Sequence, residues 1–215
     1  MNSKTARLTT AAMLCAVAYV AMALIRIPVV LFLKYEPKDV IIAIGGFLMG
    51  PFVSLTISTA VALMEMVTVS DTGPIGCVMN ILSSCSFACT AALIYKRKRT
   101  MCGAAAGLAA GCLLMTAVML LWNYLITPLY MGYPRQAVAE LLLPAFLPFN
   151  LLKGGLNTAL TLLLYKPVTA GLRRMRMAAA PEEEAARSSR IGLLLAAGLL
   201  LISCVLIILV WTGIL

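Results

Sequence analysis

Apolar runs long enough to cross a bilayer recur along this chain, and short charged clusters separate them. About 20 apolar residues span a hydrocarbon core of roughly 30 Å as a helix. A backbone in lipid must satisfy its own hydrogen bonds, which leaves helices or closed barrels. Runs over 8–27, 52–69, 75–95, 103–128, 149–165 and 191–211 read as helices. Of 215 residues, 62% are hydrophobic and 12% charged, against roughly 45–50% and about 25% in soluble domains. The pattern predicts an all-α membrane protein. A six-helix transmembrane bundle occupies 1–176, a polar, acidic linker with Glu182, Glu183 and Glu184 occupies 177–190, and an extra C-terminal seventh transmembrane helix covers 191–213. The first run is long enough to span, and no small-residue cleavage site follows it, so it reads as a span and not as a signal peptide.

Punctuation between the runs is specific. Pro28 ends the first run, and a polar connecting loop follows over 29–38. The segment 39–49 is then too short to cross a bilayer. It is either a tilted span in a thin membrane or a half-helix inside the bundle. Asp39 suits its N-cap, Gly50-Pro51 breaks it, and Pro51 is placed to start the next helix. Ser70 to Pro74 is a turn cluster. Ala137 to Pro148 is a short apolar segment ahead of the sixth span.

The net charge of +9 does not point to nucleic acid. The basic residues lie in juxtamembrane clusters, where they set topology and touch anionic lipid. Lys4 with Arg7, the cluster 96–99 and the cluster 166–176 fall on one side of a six-span bundle. By the bias of Lys and Arg toward the cytoplasm, that side and the N-terminus are cytoplasmic, and the loops at 28–38, 70–74 and 128–136 are outside. The seven cysteines have no metal-ligand spacing and there is no histidine. Cysteine here reads as a small apolar residue, with neither a metal site nor histidine-based catalysis implied. No nucleotide-binding loop and no Ser–base or paired-carboxylate arrangement is present. The chain reads as a non-enzyme, and any ATP hydrolysis comes from another chain.

Hydrogen-bonding side chains are expensive in hydrocarbon, and they mark a bundle interior, a cavity or a ligand. Two strings place them there: Trp122-Asn123-Tyr124 through Pro128-Leu129-Tyr130, and Pro148-Phe149-Asn150-Leu151-Leu152-Lys153-Gly154. Asn150 and Lys153 are three apart and share a helix face. Asn123, Asn150 and Lys153 fall near the outer helix ends and together suit an uncharged heterocycle rich in oxygen and nitrogen. Asn80 is a further candidate. Lone asparagines also serve as interhelical hydrogen bonds, and Lys153 could snorkel to the interface. Glu65, the one acid in its run, either pairs with a lysine or is a pocket acid. Trp122, Tyr124, Tyr130 and Tyr133 read first as interfacial aromatics and second as stacking surfaces. Ala12 and Ala16 form a small-residue surface, which serves packing within the bundle or docking to another membrane subunit.

These strings, together with Lys34-Tyr35-Glu36-Pro37-Lys38-Asp39-Val40, Gly46-Phe47-Leu48-Met49-Gly50-Pro51 and Asp71-Thr72-Gly73-Pro74-Ile75-Gly76 with Asn80, resemble the riboflavin-specific substrate-binding subunits of energy-coupling factor (ECF) transporters. The likeness covers about residues 8–175. It implies six helices, riboflavin as transported ligand with no cofactor, and a site near the outer face of a bacterial cytoplasmic membrane. It assigns the polar contacts to Asn123, Asn150 and Lys153 and puts Lys34, Tyr35, Glu36 and Asp39 in or beside a lid. Ala12 and Ala16 would meet a transmembrane coupling subunit, and two ATPase subunits would complete the transporter. Residues 177–215 depart from the six-helix pattern, and Glu65 stands where the family pattern suggests a basic residue. A related subunit for another small metabolite such as thiamine is the first alternative. A membrane enzyme or scaffold is the second.

Overall fold

The computed structural model describes residues 3–30, 33–70, 72–174 and 187–211. Asp71, the acidic triplet at 182–184 and the last residues of the seventh run lie outside them, as does the side chain of Tyr130. The described chain runs α1 (Ser3–Leu24), β1 (Ile27–Val30), β2 (Leu33–Tyr35), α2 (Lys38–Met49), α3 (Pro51–Thr68), α4 (Gly73–Arg97), α5 (Met101–Met131), α6 (Arg135–Leu141), a π-helical turn (Leu142–Phe146), α7 (Leu147–Arg174) and α8 (Arg187–Trp211). Among the described residues, six helices are long and apolar enough to cross a membrane: α1, α3, α4, α5, the continuous run from α6 through α7, and α8. The protein is a multi-pass helical bundle.

The short α2 lies inside the bundle and links its two ends: Lys38 at its start pairs with Glu65 near the end of α3, and the Met49 carbonyl at its end accepts from Arg7 near the start of α1. Its 12 residues rise only about 18 Å. Val40, Ile42, Ala43, Ile44, Gly45 and Gly46 are all buried, so the helix has no lipid face. It sits among α1, α3, α4 and α7. Gly50 at φ 100° makes the corner, and Pro51 opens α3 without needing an N–H partner. The expected cap at Asp39 does not form. Pro37 holds the cap position without a side-chain bond, and Asp39 lies one residue inside the first turn, fully buried, with its carboxylate engaged elsewhere.

The expected loop after α1 contains an antiparallel hairpin, in which Ile27 faces Tyr35 and Val30 faces Leu33. Pro28 is tolerated because an edge strand can lack a donor. Alternation buries Leu33 and Tyr35 and leaves Lys34 exposed. We call this the hairpin end of the bundle. Arg7, Lys96 and Arg99 mark the opposite, basic end.

The sixth span is longer than its hydropathy suggested. Pro144 and Pro148 both lack the N–H that an α-helix would use, and the chain answers with a π turn closed by Leu147 N–H donating to the Leu142 carbonyl. α7 then continues through Pro167 to Arg174. α5 likewise passes Pro128 and ends on Gly132, whose left-handed φ of 71° closes the helix.

Helices α4 and α5 approach most closely. Gly103, Gly107 and Gly111 repeat every four residues along α5, and a Cβ on Gly107 would come within 2.7 Å of the Ala91 carbonyl oxygen. Phe87, Ala88 and Ala91 are completely buried at this seam. Small residues let helix backbones touch in lipid, where apolar burial alone drives nothing. Gly107→Ala or Gly111→Ala should therefore cost about 1–3 kcal/mol by overpacking. Gly198→Ala, where a Cβ meets open space, should be neutral in the same thermal unfolding assay in detergent.

Candidate functional site

At the hairpin end, the termini of α1, α3, α4, α5 and α7 surround a cavity of about 300 Å³, at the small end of the usual range for small-molecule sites. Leu33, Lys34 and Glu36 reach it from the hairpin side, and Arg26 and Glu65 from the ends of α1 and α3. Asn80, Ser83, Asn123, Asn150 and Lys153 supply further polar groups from α4, α5 and α7. Met79, Met119 and Phe149 make its apolar surface. No residue of α2 lines it, because α2 begins behind the wall.

The charged groups are paired. Arg26 Nε lies 2.7 Å from Glu36 Oε1, and Arg26 Nη2 lies 2.9 Å from Glu65 Oε1. Lys38 Nζ lies 2.7 Å from Glu36 Oε2 and closes the ring by donating to Glu65 Oε2. Lys153 Nζ lies 3.3 Å from Asp39 Oδ2 and donates to Ser83 Oγ at 3.3 Å. Lys38, Asp39, Glu36 and Glu65 are all buried. Three cations thus face three acids in this paired group, and the exposed Lys34 is a fourth cation of the lining. Burial pushes the Glu36 carboxyl up, but the ammonium of Lys38 and the guanidinium of Arg26 outweigh it and hold it below the ordinary carboxylate range. A lowered folded-state value means that its contribution is complete at neutral pH and is lost only on strong acidification.

A second tier stands behind the wall. Tyr35 is buried, and its hydroxyl donates to Asn157 Oδ1 at 3.1 Å. Asn157 Nδ2 donates to Asp39 Oδ2 at 3.2 Å, and Ser84 donates to Asp39 Oδ1. Burial, then the Asp39 carboxylate, pushes the Tyr35 hydroxyl pKa up, so it remains a donor. The hairpin is thereby tied through Tyr35, Asn157 and Asp39 to Lys153 at the cavity.

Of the residues singled out from the sequence, Lys34, Glu36, Asn80, Asn123, Asn150 and Lys153 line the cavity together. Tyr35 and Asp39 sit one layer behind. Asn123 makes no interhelical bond. Its amide donates to the Met119 carbonyl at 2.8 Å and its oxygen accepts from Thr127 at 3.0 Å, both on its own helix. Asn150 likewise donates to the Phe146 carbonyl at 2.7 Å, at the end of the π turn. These bonds fix both amides and leave carbonyl lone pairs for a guest. Lys153 does not snorkel. Glu65 pairs with Lys38 and Arg26 and is no lone pocket acid. Trp122, Tyr124 and Tyr133 are not in the lining, and Arg135 lies over the Tyr124 ring at 5.9 Å. The aromatic surface in the cavity is Phe149. Ala12 and Ala16 are exposed on α1, so they do not pack within the described bundle.

Sequence reasoning passed over Arg26, Lys38, Ser83 and Asn157 as site residues. Arg26 and Lys38 had a usable signal: a charge beside an apolar run needs a partner, and Glu36, Asp39 and Glu65 were acids at that end. Asn157 had only its position, one turn beyond Lys153.

A second cavity, about 660 Å³, opens at the basic end between Phe47, Tyr95 and Tyr165 and a rim of Arg7, Lys96 and Arg99. It is larger, but among the described residues its lining holds three cations, no acid and no amide. That suits a lipid headgroup region better than an uncharged guest.

A profile described as "ECF transporter, substrate-specific component" matches residues 6–165. The chain belongs to that family. The riboflavin transporter RibU of Staphylococcus aureus (strain TCH60) is 30% identical over 79% of this chain and 93% of its own length. The riboflavin transporter FmnP of Bacillus subtilis (strain 168) is 25% identical over 81% of this chain and 98% of its own. A solved structure of the S component of a bacterial ECF transporter is similar with a TM-score of 0.67 and 29% identity, covering 79% of this chain and 98% of that one. In this S component, α8 lies wholly beyond the matched residues 6–165.

Proposed function

We propose that this S component captures riboflavin in the hairpin-end cavity from outside a bacterial cell. It then delivers the vitamin to the cytoplasm with a transmembrane coupling subunit and two ATPase subunits. The observation that carries this reading is that every acid at the cavity, Glu36, Glu65 and Asp39, is already paired with a cation. Riboflavin is uncharged, and a guest without charge needs hydrogen bonds and apolar contact, not a counter-ion. Asn80, Asn123 and Asn150 offer the bonds, and Phe149 with the two methionines offers a slab for a flat ring. Thiamine carries a fixed positive charge and would call for an acid that Arg26, Lys38 and Lys153 have not already neutralised. The names of the two relatives point the same way.

The orientation rests on the basic end. Lys4, Arg7, Lys96, Arg97, Lys98 and Arg99 gather there, and the bias of Lys and Arg toward the cytoplasm supports an N-terminus inside and a hairpin outside. A binding subunit cannot pump alone, because a ligand shifts an equilibrium only through differential affinity. The coupling subunits supply that difference.

The direct test is to purify the protein in detergent from riboflavin-fed cells. A yellow protein with quenched flavin emission supports the reading. A colourless protein that binds no added riboflavin overturns it. The exposed small-residue stripe through Ala12 and Ala16 gives a separate prediction. The double variant Ala12→Phe, Ala16→Phe should block close helix approach and abolish co-purification with the coupling subunit, while riboflavin binding stays as in the parent. Loss of both together would place that stripe in the fold instead.

A further inference from the structure

Helix α8 does more than add a span. Ala197, Leu201, Cys204 and Ile208 recur at four, three and four residues and form its one inward stripe. Leu195, Leu199, Ile202, Val205, Leu206 and Ile207 are exposed on its other sides. The stripe packs antiparallel on α7, where a Cβ on Gly155 would lie 3.2 Å from Cys204 Sγ. At the hairpin end it continues onto β1 and β2. Tyr35, Leu152, Leu156, Cys204 and Ile208 form one buried cluster with Val29 against it. The Tyr35 ring is thus wedged between α7 and α8, with its hydroxyl held by Asn157. On the other side of the hairpin, Leu33 is buried against Val138, Phe146 and Phe149.

Lifting the hairpin off the cavity must unseat both Leu33 and Tyr35. The Leu33 socket is built by α6, the π turn and α7. The Tyr35 socket is built in part by α8, the segment outside the matched family region. We propose that α8 is a latch: Cys204 and Ile208 hold the Tyr35 ring, keep the hairpin seated, and so lengthen the stay of the ligand beneath it. Cys204 and Ile208 are positioning residues that act through Tyr35 and touch no ligand. The inference rests on the reading that riboflavin sits under the hairpin.

The experiment compares the full chain with Ile208→Ala, the conservative Ile208→Val, and the lipid-facing control Ile207→Ala, each in nanodiscs. Hydrogen exchange is followed at 27–30 and 33–36 without ligand, and riboflavin dissociation is timed separately. Local opening that no longer has to unseat a packed side chain should be more frequent. Ile208→Ala should therefore raise exchange at these positions and speed riboflavin release, each about tenfold. Amides of α4 and α5 should be unchanged, Ile208→Val should restore most of the protection, and Ile207→Ala should match the parent. Hairpin exchange unchanged in Ile208→Ala, or raised equally in Ile207→Ala or throughout α4 and α5, overturns the latch. So does faster hairpin exchange with unchanged release of bound riboflavin. If the parent binds no riboflavin while Ile208→Ala still loosens the hairpin selectively, the latch is supported as a mechanical device and the riboflavin reading fails by itself.

Discussion

Replacing Lys38 with methionine should destabilise the bundle by about 3–5 kcal/mol, the usual cost of removing one partner from a buried ion pair. Lys38 is 1% exposed and stands between Glu36 and Glu65. Without it, Arg26 alone faces two buried carboxylates, both within 3 Å of its guanidinium. One of them must then be protonated or reach water. A protein with a margin of about 5–15 kcal/mol feels such a loss strongly. The hairpin should suffer first, because Glu36 lies at its base. Thermal unfolding in detergent and exchange at 33–36 read the two effects. Adding Glu65→Gln removes the surplus acid and should recover more than half of the lost stability. If Lys38→Met melts like the parent, the ring of charges is not what holds this end together.

Replacing Asn150 with leucine should weaken riboflavin binding about 100-fold, with a much smaller loss of stability. A dry site that hydrogen-bonds its guest loses the bond and leaves guest groups unpaired, a cost of about 2–3 kcal/mol. Leucine keeps the volume, so no void confuses the result. Lys153→Met serves as the contrast. Lys153 lines the cavity and also neutralises Asp39, so its loss should lower both affinity and thermal stability. Titration of flavin fluorescence beside thermal unfolding separates the two patterns. Equal behaviour of Asn150→Leu and the parent in the titration would remove Asn150 from the site.

Local chemistry made much of this bundle legible in advance. Gly50-Pro51 announced the corner between α2 and α3. The two asparagine strings announced the wall of the cavity, because a side-chain amide in an apolar run must face something polar. What stayed hidden depends on partners distant in the chain. Lys38 meets Glu65 across 27 residues, and Asn157 meets Asp39 across 118. A helical period gives no hint of such pairs. Asp39 looked like a cap because capping is a local rule, yet a buried lysine on α7 claims its carboxylate. The hairpin was missed because its strands are only four and three residues long, too short for alternation to show. α7 was cut short because its hydropathy falls at Lys166, whereas the helix passes through Pro167 to Arg174 and a π turn joins it to α6. The contribution of α8 to the Tyr35 socket is a tertiary fact that its uniformly apolar sequence does not reveal.

One titration decides whether the cavity takes riboflavin: purified apo-protein is added to riboflavin, and flavin emission is followed at increasing protein concentration. Quenching should saturate at one flavin per chain and be undisturbed by excess thiamine. Unquenched emission at saturating protein, or displacement of the flavin by thiamine, would contradict a cavity whose acids are all paired and which selects an uncharged guest.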